Sequence, residues 1–248
     1  MNLNLKRNAD IDDAAVPPAR PAATLVVLRD GAAGLEVLLL RRSRELSAFA
    51  GAWVFPGGAV EPVDGPADGW PACQTTARHT AVRELAEETG LTVAPEAVVP
   101  LSRWTAPLEM PRRFDTWFFL AASPGMPVRI DQGEIHGHCW LPPREALGQH
   151  RTGRMPFFPP TWVTLHYLTS FASCGAALSS TAHVSAYHFA PKVVPRGKET
   201  CYLYSGDQAY DRLDIDAAGP RHRLWARREG WRYECSPDSG GPYGPSEA

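Results

Sequence analysis

The chain has 248 residues, 44% of them hydrophobic, with 25 Lys and Arg against 27 Asp and Glu and a formal charge of -2. This balance gives no electrostatic reason to bind nucleic acid or an acidic membrane, so an anionic small molecule would have to be met by local arginines or by metal. No apolar run approaches the roughly 20 residues that span a bilayer. The start lacks a signal-peptide core, and five scattered cysteines with no C-x-x-C pair point to reduced thiols in a cytoplasmic setting rather than to structural zinc.

Residues 1–21 are polar and rich in alanine and proline, and read as a mobile arm. Apolar runs at 23–29 and 35–40 flank Asp30-Gly31-Ala32-Ala33-Gly34, which predicts two strands joined as a hairpin. Arg41, Arg42 and Arg44 open a loop that returns to a strand at Trp53-Val54-Phe55. Pro56 holds Phe55 extended, and Gly57 and Gly58 let the backbone approach a ligand closely. Residues 61–74 carry Pro, Gly and Asp early and Trp70-Pro71 late. A helix is expected from near Pro71 to Thr89, with Ala77, Ala81, Val82, Leu85 and Ala86 toward the sheet.

That helix holds the main chemical signal. Glu84, Glu87 and Glu88 stand at i, i+3 and i+4, so three like charges share one face. Gly90 reads as the residue just past the helix end, which puts Glu87 and Glu88 in the last turn, where the helix dipole disfavours negative charge. A cation belongs there, and carboxylates are the ligands Mg²⁺ and Mn²⁺ prefer. A solvated acidic face with Arg83 as counter-ion is the competing reading. The glycine turn upstream, which can set a backbone carbonyl across from the carboxylates, favours metal.

Downstream, residues 117–120 (Trp-Phe-Phe-Leu) read as a buried strand. His136 and His138 share a strand face but lack a third ligand at metal spacing. Residues 142–150 read as a short helix and 161–171 as a second, with Trp162, Leu165 and Leu168 at helical spacing. From 184 onward short alternating runs predict a β-rich extension, including a hairpin from 222–226 to 231–233. Residues 236–248 are expected to be disordered. Neither G-x-S-x-G nor a P-loop is present, which leaves covalent serine chemistry and Walker-type NTP hydrolysis without support.

Gly58 together with Arg83, Glu84, Leu85, Glu87, Glu88, Gly90 and Leu91 resembles the Nudix box, G-x5-E-x7-R-E-U-x-E-E-x-G-U with U aliphatic. Its hydrolases cleave nucleoside diphosphates linked to another moiety. The second half is matched at every fixed position. The middle is eleven residues longer than the pattern, so the first Glu falls on Asp64 counting forward from Gly58 and on Thr75 counting back from Arg83. Leu38-Leu39, Arg42-Ser43, Gly51 and Phe55-Pro56-Gly57-Gly58 are similar to the signature that precedes the box in coenzyme A diphosphatases, with Leu40 and Ser47 replacing a threonine and a second arginine. The long insertion and Arg113-Phe114-Asp115-Thr116 are similar to a peroxisomal-type branch of those enzymes.

The resemblance implies an α/β (α+β) fold, an α-β-α sandwich with a mixed central sheet over 22–150, followed by a helix and β-rich extension over 151–235. It implies two or three Mg²⁺ or Mn²⁺ held by the Gly58 carbonyl, Glu84, Glu87 and Glu88, with Arg83 orienting the carboxylates. Glu84 or Glu134 would accept the proton of the attacking water. Arg42, Arg113 and Phe114 would contact substrate, with Asp115 orienting Arg113. The implied substrate is coenzyme A or an acyl-coenzyme A. ADP-ribose, NADH or a dinucleoside polyphosphate is the alternative, and a catalytically silent nucleotide-sensing or partner-binding module is the alternative of another class. The extension fits a lid, added sheet or the surface of a homodimer equally.

Overall fold

Strand β1 (Arg20–Gly31) and strand β2 (Gly34–Arg42) form the antiparallel hairpin that the two apolar runs predict, closing with Gly31 opposite Gly34. The computed structural model describes residues 18–43, 50–66, 70, 73–130 and 133–242. The arm before residue 18, Arg44, Ser47, Pro71 and the tail from 243 lie outside them. The chain divides into two units, Pro21–Arg103 with Thr116–Ala186, and Met1–Arg20 with Trp104–Asp115 and Tyr187–Ala248.

The larger unit is built on a mixed sheet. Its strands are β1, β2, β3 (Trp53–Val54), β4 (Gly57–Ala59), β5 (Val99–Thr105), β6 (Phe114–Ala122) and β7 (Ile135–Leu141), except that Arg20 of β1, residues 104–105 of β5 and residues 114–115 of β6 are counted with the smaller unit. The order runs β3-β2-β1-β6-β5, with β4 also paired to β1 and β7 to β2. Four successive β1 residues, Leu25, Val26, Val27 and Leu28, are fully buried, so both faces of the sheet are covered. Helix α1 (Gln74–Thr89) lays Ala77, Ala81 and Leu85 on the face formed by Leu25, Val27, Leu38, Leu40, Trp117 and Phe119. Those three helix residues recur every fourth position, the spacing of one helical stripe. Each large apolar side chain buried there contributes about 1.5–3 kcal/mol. Helix α2 (Pro143–Arg151) packs on β2, and α3 (Pro159–Leu168) on α2.

Several local features depart from the expectation: Arg41 and Arg42 close strand β2 rather than opening the loop, and Pro237–Ser239, within the stretch expected to be disordered, form a 3-10 turn. Helix α1 begins at Gln74, three residues after Pro71, because Cys73 takes a non-helical backbone (φ -79°, ψ 74°) as its N-cap. A further helix, α4 (Cys174–Ala182), occupies a stretch of small residues with no apolar stripe. Its signal was Ser173, whose hydroxyl accepts the Ala176 N–H as an N-cap, the commonest chemistry of a helix start.

The smaller unit holds β8 (Tyr187–Phe189), β9 (Lys192–Arg196), β10 (Glu199–Leu203), β11 (His222–Ala226) and β12 (Arg232–Cys235). The last four form an antiparallel sheet ordered β12-β11-β10-β9, with the expected hairpin at β11 and β12. Strand β9 was hidden by Pro195, which is tolerated because β9 is an edge strand. Here Arg223 is tied bidentately to Asp207 (Nε 2.6 Å, Nη2 2.5 Å), and Asp207 also accepts the His222 and Ala209 N–H groups at 2.8 Å. Among the described residues no helix is long and apolar enough to cross a membrane.

Asp207→Ala strands a buried guanidinium and is expected to cost about 3–5 kcal/mol. Urea unfolding checks it, and adding Arg223→Met should return part of the loss.

Candidate active site

Strand β4 and helix α1 meet through polar links rather than apolar ones. Gly57 donates its N–H to Glu88 Oε2 at 3.0 Å, and Arg83 Nη2 donates to the Ala59 carbonyl at 3.1 Å. A side chain at Gly57 would meet the Ala23 carbonyl at 2.5 Å and Thr24 Oγ1 at 2.6 Å, and one at Gly58 would overlap the Glu84 carboxylate. Gly57 is thus required for space, because its clash is with backbone, whereas a side chain at Gly58 would have to push the Glu84 carboxylate aside; together they bring the strand backbone against the helix acids. At the other end, Gly90 turns left-handed (φ 68°) and donates to Ala86, closing the helix immediately after Glu88 and Thr89.

Arg83 is the hub. Its Nε donates to Asp64 Oδ1 at 2.8 Å and its Nη2 to Asp64 Oδ2 at 2.9 Å, while Nη1 faces Glu84 at 3.0 Å and Glu87 at 2.9 Å. Asp64 ends a 3-10 turn, Pro62–Asp64, and its carboxylate also accepts from the Glu61 N–H and the Thr80 hydroxyl, both at 2.9 Å. Burial alone pushes the Asp64 carboxyl up, but the Arg83 hydrogen bonds, with those from Glu61 and Thr80, outweigh it and hold it below the usual range. Asp64, on which the forward count from Gly58 lands, is thus the acid that Arg83 holds, whereas Thr75 is exposed. The count raised Asp64, but only its buried bidentate pairing to Arg83 gives it a role.

Glu88 is the acid most removed from water, 6% exposed. Burial raises its pKa from 4.5 to about 8; the Gly57 N–H and Arg42 oppose the rise, and the charges of Glu84 and Glu134 add to it. Glu84 is raised as well, first by burial and then by Glu87 and Glu134 against the pull of Arg83. Glu134, just before β7, pairs with Arg42 Nη2 at 3.0 Å. Glu84, Glu88, Glu134 and Arg42 thus feel one another, although 92 positions separate Arg42 from Glu134. Among the described residues no three His, Cys, Asp or Glu side chains converge as a ready-made metal cage, and Glu84, Glu87 and Glu134 instead face arginines.

The donor chemistry fits a hard divalent cation. Glu84 and Glu88 feel each other's charge and that of Glu134, Glu88 is buried at a cost that a cation would offset, and the Gly58 backbone carries no side chain that would displace Glu84. Such a site neutralises charge on phosphoryl oxygens.

Arg113 and Phe114 belong to the smaller unit. There Arg113 Nε donates to the Ala106 carbonyl at 3.2 Å, and Asp115 accepts from the Thr105 hydroxyl at 3.2 Å. His136 and His138 are both exposed.

A NUDIX domain model matches residues 18–160. The peroxisomal coenzyme A diphosphatase ndx-8 of Caenorhabditis elegans is 36% identical over 91 residues, which are 36% of this chain and 35% of that relative. The chain thus spans about a third of the length of the curated relative it matches. Among solved structures, the NUDIX hydrolase from Alicyclobacillus acidocaldarius is 28% identical with a TM-score of 0.60, covering 69% of this chain and 100% of that one.

Two outcomes are expected of this geometry. Asp64→Ala releases Arg83 and should lower stability by about 2–4 kcal/mol in chemical denaturation. Glu88 binds its proton more tightly folded than unfolded, so its contribution is full below pH 4.5 and is lost as pH rises to about 8. In EDTA the protein should therefore lose on the order of a few kcal/mol over that window. Glu88→Gln should flatten this loss in a pH series of melting temperatures.

Proposed function

This chain belongs to the NUDIX family, and from that membership we propose that it is a hydrolase of phosphoric anhydride bonds that cuts the diphosphate of coenzyme A or an acyl-coenzyme A. Members of the family generally work with divalent metal ions and take small nucleotide substrates. The observation that carries the reading is the junction of β4 and α1, where buried Glu88 takes the Gly57 N–H within charge range of Glu84 and Glu134.

In this reading the Gly58 carbonyl, Glu84, Glu87 and Glu88 hold Mg²⁺ or Mn²⁺. Bound there, the ions supply a lowered pKa for water and charge neutralisation on the bridging diphosphate. Arg83, fixed by Asp64 and Ala59, holds Glu84 and Glu87 in place. Glu84 or Glu134 takes the proton of the attacking water, and Arg42 contacts the substrate. Coenzyme A is favoured over other nucleoside diphosphates by the segment from Leu38 to Gly58 and by the likeness to ndx-8 over 91 residues. Five free thiols support a reducing, cytoplasm-like setting.

Substrate profiling with Mg²⁺ or Mn²⁺ tests this. Coenzyme A should yield adenosine 3′,5′-bisphosphate and a phosphopantetheine product, and cleavage of ADP-ribose, NADH or a dinucleoside polyphosphate at least about tenfold better would shift the assignment to that substrate. Glu84→Gln and Glu88→Gln should each lower kcat by about 10²–10³-fold. Of Glu84→Gln and Glu134→Gln, the one that removes the general base should also abolish the acidic limb of the pH–rate profile.

A further inference from the structure

The ion pair between Arg42 and Glu134 is asymmetric. The Arg42 side chain is 15% exposed and that of Glu134 58%, so the arginine sits inside and the carboxylate reaches it from the solvent side. The backbone fixes the encounter: Ser43 donates its N–H to the Glu134 carbonyl at 2.8 Å. A register irregularity between Arg41 and Arg42 then sets Arg42 opposite Ile135 in the ladder of β2 and β7.

The pair leaves the arginine incompletely used. Nη2 meets Glu134 Oε2 at 3.0 Å, but Nε is buried with no hydrogen-bond acceptor among the described residues. A guanidinium presents a planar fork that suits two oxygens of a phosphate group. A buried donor with no acceptor carries an uncompensated loss of water, and an anion that engaged both nitrogens would remove that cost. Glu134 for its part lies within charge range of Glu84 and Glu88, on the side where the proposed cations would sit.

We propose that Arg42 and Glu134 are stand-ins for each other's ligand: Glu134 occupies on Arg42 the place of a diphosphate oxygen, and Arg42 occupies on Glu134 the place of a divalent cation. The inference rests on the metal-dependent diphosphatase reading above and adds a coupling to it. The pair opens when either ligand binds, so the first to arrive frees the receptor of the second. By linkage the two affinities rise together.

Calorimetry with methylenediphosphonate, a non-hydrolysable diphosphate, in EDTA tests the anion side, and electron paramagnetic resonance with Mn²⁺ alone tests the cation side. Glu134→Gln should tighten metal-free methylenediphosphonate binding by about three- to tenfold. Glu87→Gln removes an equally exposed carboxylate that pairs with Arg83 instead, and should gain less. The gain should vanish in an Arg42→Gln background and shrink with Arg42→Lys, which keeps the charge without the fork. Arg42→Gln alone should tighten Mn²⁺ binding. A gain from Glu134→Gln that persists without Arg42 is general charge removal and overturns the proposal, as does no gain at all. If the wild type binds neither Mn²⁺ nor the diphosphonate, the diphosphatase reading falls and takes the coupling with it. If it binds both and the double-mutant cycle is additive, the coupling alone falls.

Discussion

Arg83 is the interaction on which the site depends. One guanidinium reaches the Asp64 carboxylate twice, the Ala59 carbonyl, Glu84 and Glu87. It therefore binds the 3-10 turn, strand β4 and helix α1 into one rigid corner, and it shares its charge among three acids. Such an arrangement is possible because guanidinium offers several donors in a fixed plane, whereas an ammonium would have to choose among the same partners. The Thr80 hydroxyl and Glu61 N–H complete the acceptor needs of Asp64, which removes the penalty that a half-satisfied buried carboxylate would carry.

The same corner leaves Glu88 in an opposite condition. Its bond to the Gly57 N–H does not make up for the loss of water or for the neighbouring negative charge, so its carboxyl stays protonated well above the usual range. A fold devoted only to stability would place an apolar residue there. The strain is local, comes from burial and from the charges of Glu84 and Glu134, and is of the kind that a bound cation removes. The smaller unit shows the contrasting solution: Asp207 is buried too, but Arg223 and two backbone N–H groups satisfy it and hold its pKa down.

Local pattern made much of this legible. The hairpin of β1 and β2, the stripe of Ala77, Ala81 and Leu85, and the glycine stop after Glu88 all follow from periods of two and 3.6 and from the left-handed preference of glycine. Where local signals failed, the cause is specific. Helix α4 has no apolar stripe and is held by caps, Ser173 to Ala176 and Asp30 to the Cys174 N–H. Strand β9 carries a proline that only an edge position permits.

By itself the sequence determined the three-acid face of α1, the glycine turn at 57–58 and the half-box that marks the family, because each is set by spacing within a dozen residues. Only the tertiary structure decided that Asp64 rather than Thr75 holds Arg83, that Glu88 rather than Glu87 loses its water, and that Arg42 pairs with Glu134. Those outcomes depend on which surfaces meet after the sheet forms, across separations of 19, 31 and 92 positions. No local period reports them, since burial and charge pairing are properties of the assembled corner and not of any one segment.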